Sequence, residues 1–277
     1  MFGFIKLEQE RINIYDALTK AEYIRKWFGK EIIEKGEKTI ILKERLLNEI
    51  DNLTITKEKD EKNAVIWHCV SNEINFTIFF TIEKKKIHVE IISDQKSIVI
   101  YLQDWIYIFY RLKELIESEH VNLPNLEYEN SQKKPLQLKI SINNTKKEVY
   151  TRITKKPYIN QIFALYPEVD LDNFVYSWGW IEEGPSNLIS WIQNSVLIYD
   201  FMVDFNFVGY VKWELEELSG HTTVLTLTHK DLDLEGETDQ KRAYFSYRNG
   251  WLYLLAKVKD LSENSSFSIH FEEELLD

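Results

Sequence analysis

Residues with the types and spacing for covalent chemistry are sparse in this chain. His229 closes the segment Leu225-Thr-Leu-Thr-His229 and precedes an acidic loop, so its imidazole is placed to act as a general base near a pocket mouth. The competing reading is a surface histidine or a hydrogen-bonded relic with no chemical role. His68 adjoins Cys69, but successive residues of a strand face opposite ways, which separates the two groups and argues against a Cys/His nucleophile pair. Asp231-Leu-Asp-Leu-Glu-Gly236 has the glycine of a calcium loop at its sixth position. Leucines at the second and fourth positions and Arg242 at the twelfth remove the ligands such a loop needs, leaving a solvated loop. There is no Gly-x-Ser-x-Gly elbow, no Ser/His/Asp order, no cysteine–histidine cluster of zinc spacing and no glycine-rich phosphate loop. The expectation is therefore no catalytic residue, no metal and no cofactor.

Charge narrows the partners. The 34 Lys and Arg stand against 45 Asp and Glu, a net charge of −11 that repels a phosphate backbone, so nucleic acid is not expected. The short basic run Lys84-Lys85-Lys86 lies between two strand-like segments and reads as a solvated hairpin. A lone cysteine, Cys69, offers no internal disulfide and fits a reducing compartment. No basic leader followed by an apolar run opens the sequence, and no long uncharged apolar stretch interrupts it; the expectation is a cytoplasmic protein with no membrane span. The Asn-x-Ser/Thr triplets at Asn52, Asn75, Asn143 and Asn264 are then chance matches.

The elements that would position any site come in two copies. A chain of 277 residues, 44% hydrophobic and 29% charged, has material for two ordinary cores. Tyr15-Asp-Ala-Leu-Thr-Lys-Ala-Glu-Tyr-Ile-Arg-Lys-Trp-Phe-Gly29 aligns without a gap on Tyr150-Thr-Arg-Ile-Thr-Lys-Lys-Pro-Tyr-Ile-Asn-Gln-Ile-Phe-Ala164, matching Tyr15/Tyr150, Thr19/Thr154, Lys20/Lys155, Tyr23/Tyr158, Ile24/Ile159 and Phe28/Phe163. A second pair of blocks, from Trp105 and from Trp251, follows in the same order. Within the first block the apolar spacing predicts two tandem short helices, one over Glu8 to Leu18 and a second capped by Thr19; in the second copy Asn144 or Thr145 caps the first helix, Thr154 the next, and Pro157 falls in its first turn. Strands are expected at Leu53–Glu58, Ala64–Val70, Ile74–Ile82 and Ile87–Ile92. The second set is Phe174–Trp180, Leu188–Ile192, Val196–Met202, Phe207–Glu216 and Thr222–Thr228, with a hairpin at Ser219-Gly220. Long amphipathic helices over Ser97–Glu119 and Asp239–Leu261 close the copies. The expected boundaries are a first domain over 1–120, a linker over 121–134, a second domain over 135–264 and an acidic tail over 265–277, in which Phe267, Ile269 and Phe271 alternate as in a short strand.

Strand, two short helices, antiparallel strands and a long last helix is the order of the helix-grip fold. Asp16-Ala-Leu-Thr-Lys-Ala-Glu-Tyr-Ile-Arg-Lys-Trp-Phe-Gly29, the strand ending in His229, and Asn249-Gly-Trp251 resemble the family related to the C-terminal domain of the activator of heat-shock protein 90 ATPase, within the START-like superfamily. The first copy departs with Gln103-Asp104 in place of Asn249-Gly250; the second departs with Ile162-Phe163-Ala164 where the family shows a tryptophan pair and glycine. The resemblance implies an α+β chain of two tandem helix-grip domains, each a curved antiparallel sheet wrapped around its long helix. It also implies a lipophilic small molecule bound without catalysis between sheet and helix in one or both copies. Pocket-wall candidates on that basis are Trp27, Phe28, Trp105, Trp178, Trp180, Trp213, Tyr247 and Trp251, against the commoner reading of each as ordinary core. An interaction role with a chaperone is the alternative, and a cyclase or hydrolase the weaker one.

Overall fold

The structure is a computed structural model that describes residues 1–29, 31–42, 53–60, 63–71, 74–93, 102–124, 135–163, 166–180, 182–218, 221–232 and 240–272. The Ser219-Gly220 turn, residues 97–101 and 239 of the expected long helices, Asn52, loop residues 233–236, and 125–134 of the expected linker lie outside them. The chain divides into two units, one of residues 1–128 with 268–277 and one of residues 129–267. Among the described residues no helix is long and apolar enough to cross a membrane, and no cluster of three His, Cys, Asp or Glu is placed to hold a metal ion.

In the first unit β1 (Phe2–Lys6) leads to α1 (Ile14–Thr19) and α2 (Ala21–Trp27). The strands β2 (Ile32–Lys35), β3 (Thr39–Leu42), β4 (Leu53–Asp60), β5 (Ala64–Val70), β6 (Asn75–Glu83) and β7 (Lys86–Ile92) precede α3 (Leu102–Ser118). The second unit repeats this with β8 (Leu136–Ile142), α4 (Lys146–Thr154), α5 (Lys156–Ile162), β9 (Glu168–Asp170), a 3-10 turn (Leu171–Asn173), β10 (Val175–Ser177), β11 (Glu183–Ile192), β12 (Val196–Val203), β13 (Asn206–Leu218), β14 (Thr222–Lys230) and α6 (Gln240–Glu263). Each unit is thus α+β, an antiparallel sheet packing a long helix, in the helix-grip order. The sheet orders are β7-β6-β5-β4-β3-β2 beside β1, and β11-β12-β13-β14-β8. The hairpin β2–β3 extends the first sheet, whereas its counterpart β9–β10 forms a separate two-stranded sheet.

The duplication is visible in bonds as well as in elements. Thr19 Oγ1 donates to Tyr15 O and Thr154 Oγ1 to Tyr150 O, both at 2.7 Å. These threonines therefore bond back into the preceding helix, and the residue that caps the next helix is Lys20 or Lys155, one position later than the sequence suggests. The first helix of the chain begins at Ile14 with Asn13 as its cap, later than the expected Glu8, while Thr145 caps α4 as expected. The amide after the first strand of each copy, Glu8 N or Asn143 N, donates to a glutamate of the long helix, Glu117 at 2.6 Å or Glu263 at 2.7 Å. Those glutamates pair with Lys113 and Lys259 one turn earlier. Arg111 Nη2 and Lys257 Nζ cap the end of the second short helix by donating to Lys26 O and Ile162 O, each at 2.9 Å. The Thr19/Thr154 and Glu8/Asn143 bonds align residue n of each N-terminal block with residue n plus 135, and only the carbonyl capped at the end of the second short helix falls one residue later in the second copy.

The C-terminal segment departs from the expectation of a tail. Its strand β15 (Ile269–Glu272) pairs antiparallel with β1, so the first sheet has eight strands in the order β15-β1-β7-β6-β5-β4-β3-β2. The physical reason lies in two side chains and a gap: Ile269 is buried, the Phe271 ring stacks on Phe109 of α3 at 5.5 Å, and Gly3 leaves the room they need. A Cβ at Gly3 would stand 2.4 Å from His270 O and 2.5 Å from the Phe271 ring. Gly3→Ala is expected to push β15 off, so that the Lys6 amide, which donates to Ser268 O at 2.7 Å, exchanges at least about tenfold faster by hydrogen-exchange NMR.

Lys84 and Lys85 form the turn between β6 and β7, and Lys86 opens β7. Lys85 has φ of 59°, and the Lys86 ammonium lies 4.0 Å from the Phe4 ring centroid, consistent with a hairpin rather than a basic patch.

Candidate functional site

In the first unit, β4 to β7 alternate buried and exposed positions, so their buried residues point at α3. Trp27 and Phe28 come from the end of α2, Trp67 from β5, Phe76 and Phe80 from β6, and Trp105 and Phe109 from one face of α3. They form a contiguous ring cluster of stacked and edge-on pairs: Trp27–Trp67 at 5.6 Å, Phe28–Trp105 at 6.1 Å and Trp105–Phe109 at 5.9 Å are stacked, and Phe76–Trp105 at 5.5 Å and Phe28–Trp67 at 5.4 Å are edge-on. The indole nitrogens of Trp27 and Trp67 are spent on α1, donating to Ala17 O and Leu18 O at 3.0 Å. Trp105 differs: it is 0% exposed, and its Nε1 has no hydrogen-bond partner among the described residues.

The second unit gathers Phe163, Trp178, Tyr199, Phe201, Trp213, His229 and Trp251. Trp251 lies 5.2 Å from Phe201, 6.0 Å from Trp178 and 6.1 Å from Trp213. Every polar tip here is engaged. Trp213 Nε1 donates to Tyr199 Oη at 2.9 Å, Tyr176 Oη to Ile153 O at 2.8 Å, and Trp251 Nε1 to His229 Nδ1 at 3.1 Å. His229 Nε2 in turn faces Val208 O at 3.1 Å. An imidazole that accepts at Nδ1 and donates at Nε2 is neutral with its proton on Nε2. Burial pushes its pKa down to about 4, against a weaker opposing effect of the Val208 carbonyl. His229 therefore has no free nitrogen with which to act as a general base; it is a structural bridge from β13 and β14 to α6.

The repeat locates the difference between the two interiors. Leu136, opposite His229 on β14, corresponds to Met1, whose backbone bonds Ile91. Ile91, buried and apolar, thus occupies the place of His229, and Trp105 occupies the place of Trp251. The first unit has the donor without its acceptor.

Of the sequence candidates, the structure brings Trp27, Phe28 and Trp105 together in one unit and Trp178, Trp213 and Trp251 in the other. Tyr247 reaches His229 at 5.7 Å from α6. Trp180 is a correction: it is 49% exposed, its Nε1 donates to Phe163 O at 3.1 Å, and it stands off the cluster. The cause is Gly179, whose φ of 83° turns the chain where an added Cβ would meet the Tyr166 backbone at 2.4 Å. Trp67, Phe80, Phe109, Tyr176, Tyr199 and Phe201 belong to the clusters and were signalled only by strand or helix periodicity. Cys69 is buried and its thiol pKa is raised by burial, while His68 faces outward to Thr77 and Glu58, as the alternation requires.

No protein-family profile matches the chain, and no curated protein does. Solved structures of similar fold include DynU16, a protein of the dynemicin biosynthetic locus, at 11% identity and a TM-score of 0.35, covering 95% of this chain and 98% of that one. The di-domain ARO/CYC protein StfQ from the steffimycin biosynthetic pathway covers the same shares at 8% identity and a TM-score of 0.33. The Aha1 dimer from Colwellia psychrerythraea matches 47% of this chain over 97% of its own, at 15% identity and a TM-score of 0.37. These structural neighbours are helix-grip proteins, some of one domain and some of two.

Proposed function

We propose that this chain binds a lipophilic small molecule without chemical change, and that the first unit takes it between the sheet and α3. The observation that carries the reading is the unpaired indole N–H of Trp105 inside an otherwise apolar aromatic interior. A buried donor left unmade costs about 1–3 kcal/mol, which a ligand carbonyl, ether or hydroxyl oxygen would recover. The rings around Trp105 offer apolar faces, so the ligand class is an apolar body with one acceptor. The second interior satisfies its own polar tips and serves as scaffold.

Thermal unfolding and tryptophan fluorescence against sterols, flavonoids, polyketides and fatty acids test this. An acceptor-bearing ligand at 100 times its Kd is expected to stabilise the protein by about 2.7 kcal/mol. Trp105→Phe should weaken that ligand about tenfold while leaving a pure hydrocarbon of the same shape unaffected, and Trp251→Phe should not discriminate the two. A flat response across the panel would refute ligand binding.

A second reading rests on a different observation. Phe205 and Phe207 at the β12–β13 turn are 62% and 45% exposed, and the Phe207 ring packs on Tyr210, itself 38% exposed. Exposed aromatic rings at a hairpin end suit a protein-interaction module such as a chaperone-activating one. Enrichment of the heat-shock protein 90 chaperone on the wild-type chain and its loss with Phe205→Ser/Phe207→Ser would favour this reading; equal recovery on both would dismiss it.

A further inference from the structure

The second unit carries a cleft of about 610 Å³ outside the aromatic interior, between α4, the start of α5, the β9 hairpin with its 3-10 turn, and the β11–β12 turn. The detachment of β9–β10 from the main sheet makes its outer wall. Tyr150 sits at its base, 5% exposed, and its hydroxyl has no hydrogen-bond partner among the described residues. Burial raises that phenol's pKa to about 12, so it is a standing donor at neutral pH.

Lys147, Lys155 and Lys156 line the cleft and pair with no carboxylate among the described residues. The repeat shows how they came free. Their counterparts in the first unit are Ile12, Lys20 and Ala21, and Lys20 is neutralised by Asp16 at 2.8 Å. Thr151 replaces Asp16 in the second copy, which releases Lys155. On the opposite wall stand Asp170 and Asp172, but both Asp170 oxygens already accept from Asn173, at 3.3 Å from its amide and 2.8 Å from its side chain. Three lysines against the two carboxylates leave the lining at 3 − 2 = +1 on a chain of net charge −11. Trp191, half-buried at the β11–β12 turn, adds an apolar face.

We infer that this cleft binds a small organic monoanion with a flat apolar body, its charged group held by the lysines and the Tyr150 hydroxyl and its body against Trp191. The site is separate from the aromatic interior and does not depend on it. An orphaned buried hydroxyl destabilises the empty protein, and an anionic oxygen supplies its partner.

The test uses the full chain and isothermal titration with 2-naphthoate, and with its neutral amide as control. Naphthoate is expected to bind, more weakly as salt rises, with the amide at least about tenfold weaker. Tyr150→Phe, which removes only the unpaired oxygen, should leave the empty protein as stable or more so and lower naphthoate affinity about tenfold. Lys155→Ala/Lys156→Ala should lower it further, while Trp105→Phe should leave it unchanged. Equal binding of acid and amide, equal binding by wild type and Tyr150→Phe, loss of binding with Trp105→Phe alone, or no naphthoate binding would each overturn the assignment.

Discussion

Acidification from neutral pH to about pH 4 is expected to cost the second unit about 3 kcal/mol through His229 alone, since each unit of pKa displacement corresponds to about 1.4 kcal/mol. The folded imidazole titrates at about 4 rather than its ordinary 6.5 because it is wholly buried between Trp251 and the Val208 carbonyl. The unfolded chain therefore binds the extra proton first. Stability from this group is intact above 6.5, declines as pH falls from 6.5 to about 4, and falls no further below that. His229→Leu should remove this component of the pH dependence at a baseline cost of about 2–4 kcal/mol, because it orphans the Trp251 indole and the Val208 carbonyl together. The check is hydrogen exchange of the β14 amides across the pH range, wild type against variant. Parallel profiles in the two proteins would show that His229 is not the buried neutral bridge described here.

Truncation after Phe267 is expected to destabilise the first unit by about 3–5 kcal/mol while leaving the second unchanged. The loss sums the burial of Ile269, the partly covered Phe271 ring stacked on Phe109 and the ladder to β1, and it leaves β1 as an exposed sheet edge. Exchange of the β1 and β7 amides should accelerate, and that of β13 and β14 should not. Undisturbed β1 protection in the truncated chain would mean that β15 contributes nothing to the first fold.

Why the C-terminal strand was read as a tail, although its alternation was visible, is plain from what holds it. Its partner, β1, lies more than 260 residues away in sequence, and the permission for pairing sits in Gly3, a residue with no pattern of its own. The repeated blocks were legible because Tyr15/Tyr150 and Trp105/Trp251 keep type and spacing across both copies. The helix caps slipped by one position because threonine satisfies either a cap or the preceding carbonyl, and in both copies it takes the carbonyl. The resemblance to helix-grip proteins marked Trp27, Phe28, Trp105, Trp178, Trp213 and Trp251 as pocket-wall or core candidates. It did not separate Trp180, which a left-handed glycine turns outward, and it did not distinguish Trp105 from Trp251. That distinction needs the sheet register that sets Ile91 against His229. The Tyr150 cleft had no sequence signal, since its lysines are ordinary surface residues until the detached β9 hairpin stands opposite them.

Whether the first interior, rather than the second, receives an acceptor-bearing lipophile is read from the 15N–1H spectrum of the eight tryptophan indoles during ligand titration. With each resonance assigned by single Trp→Phe replacement, the Trp105 signal should move downfield as its N–H gains an acceptor, while the Trp251 signal stays on His229. Movement of Trp251 with Trp105 unchanged, or no indole moving under a ligand that stabilises the protein, would contradict binding in the first interior.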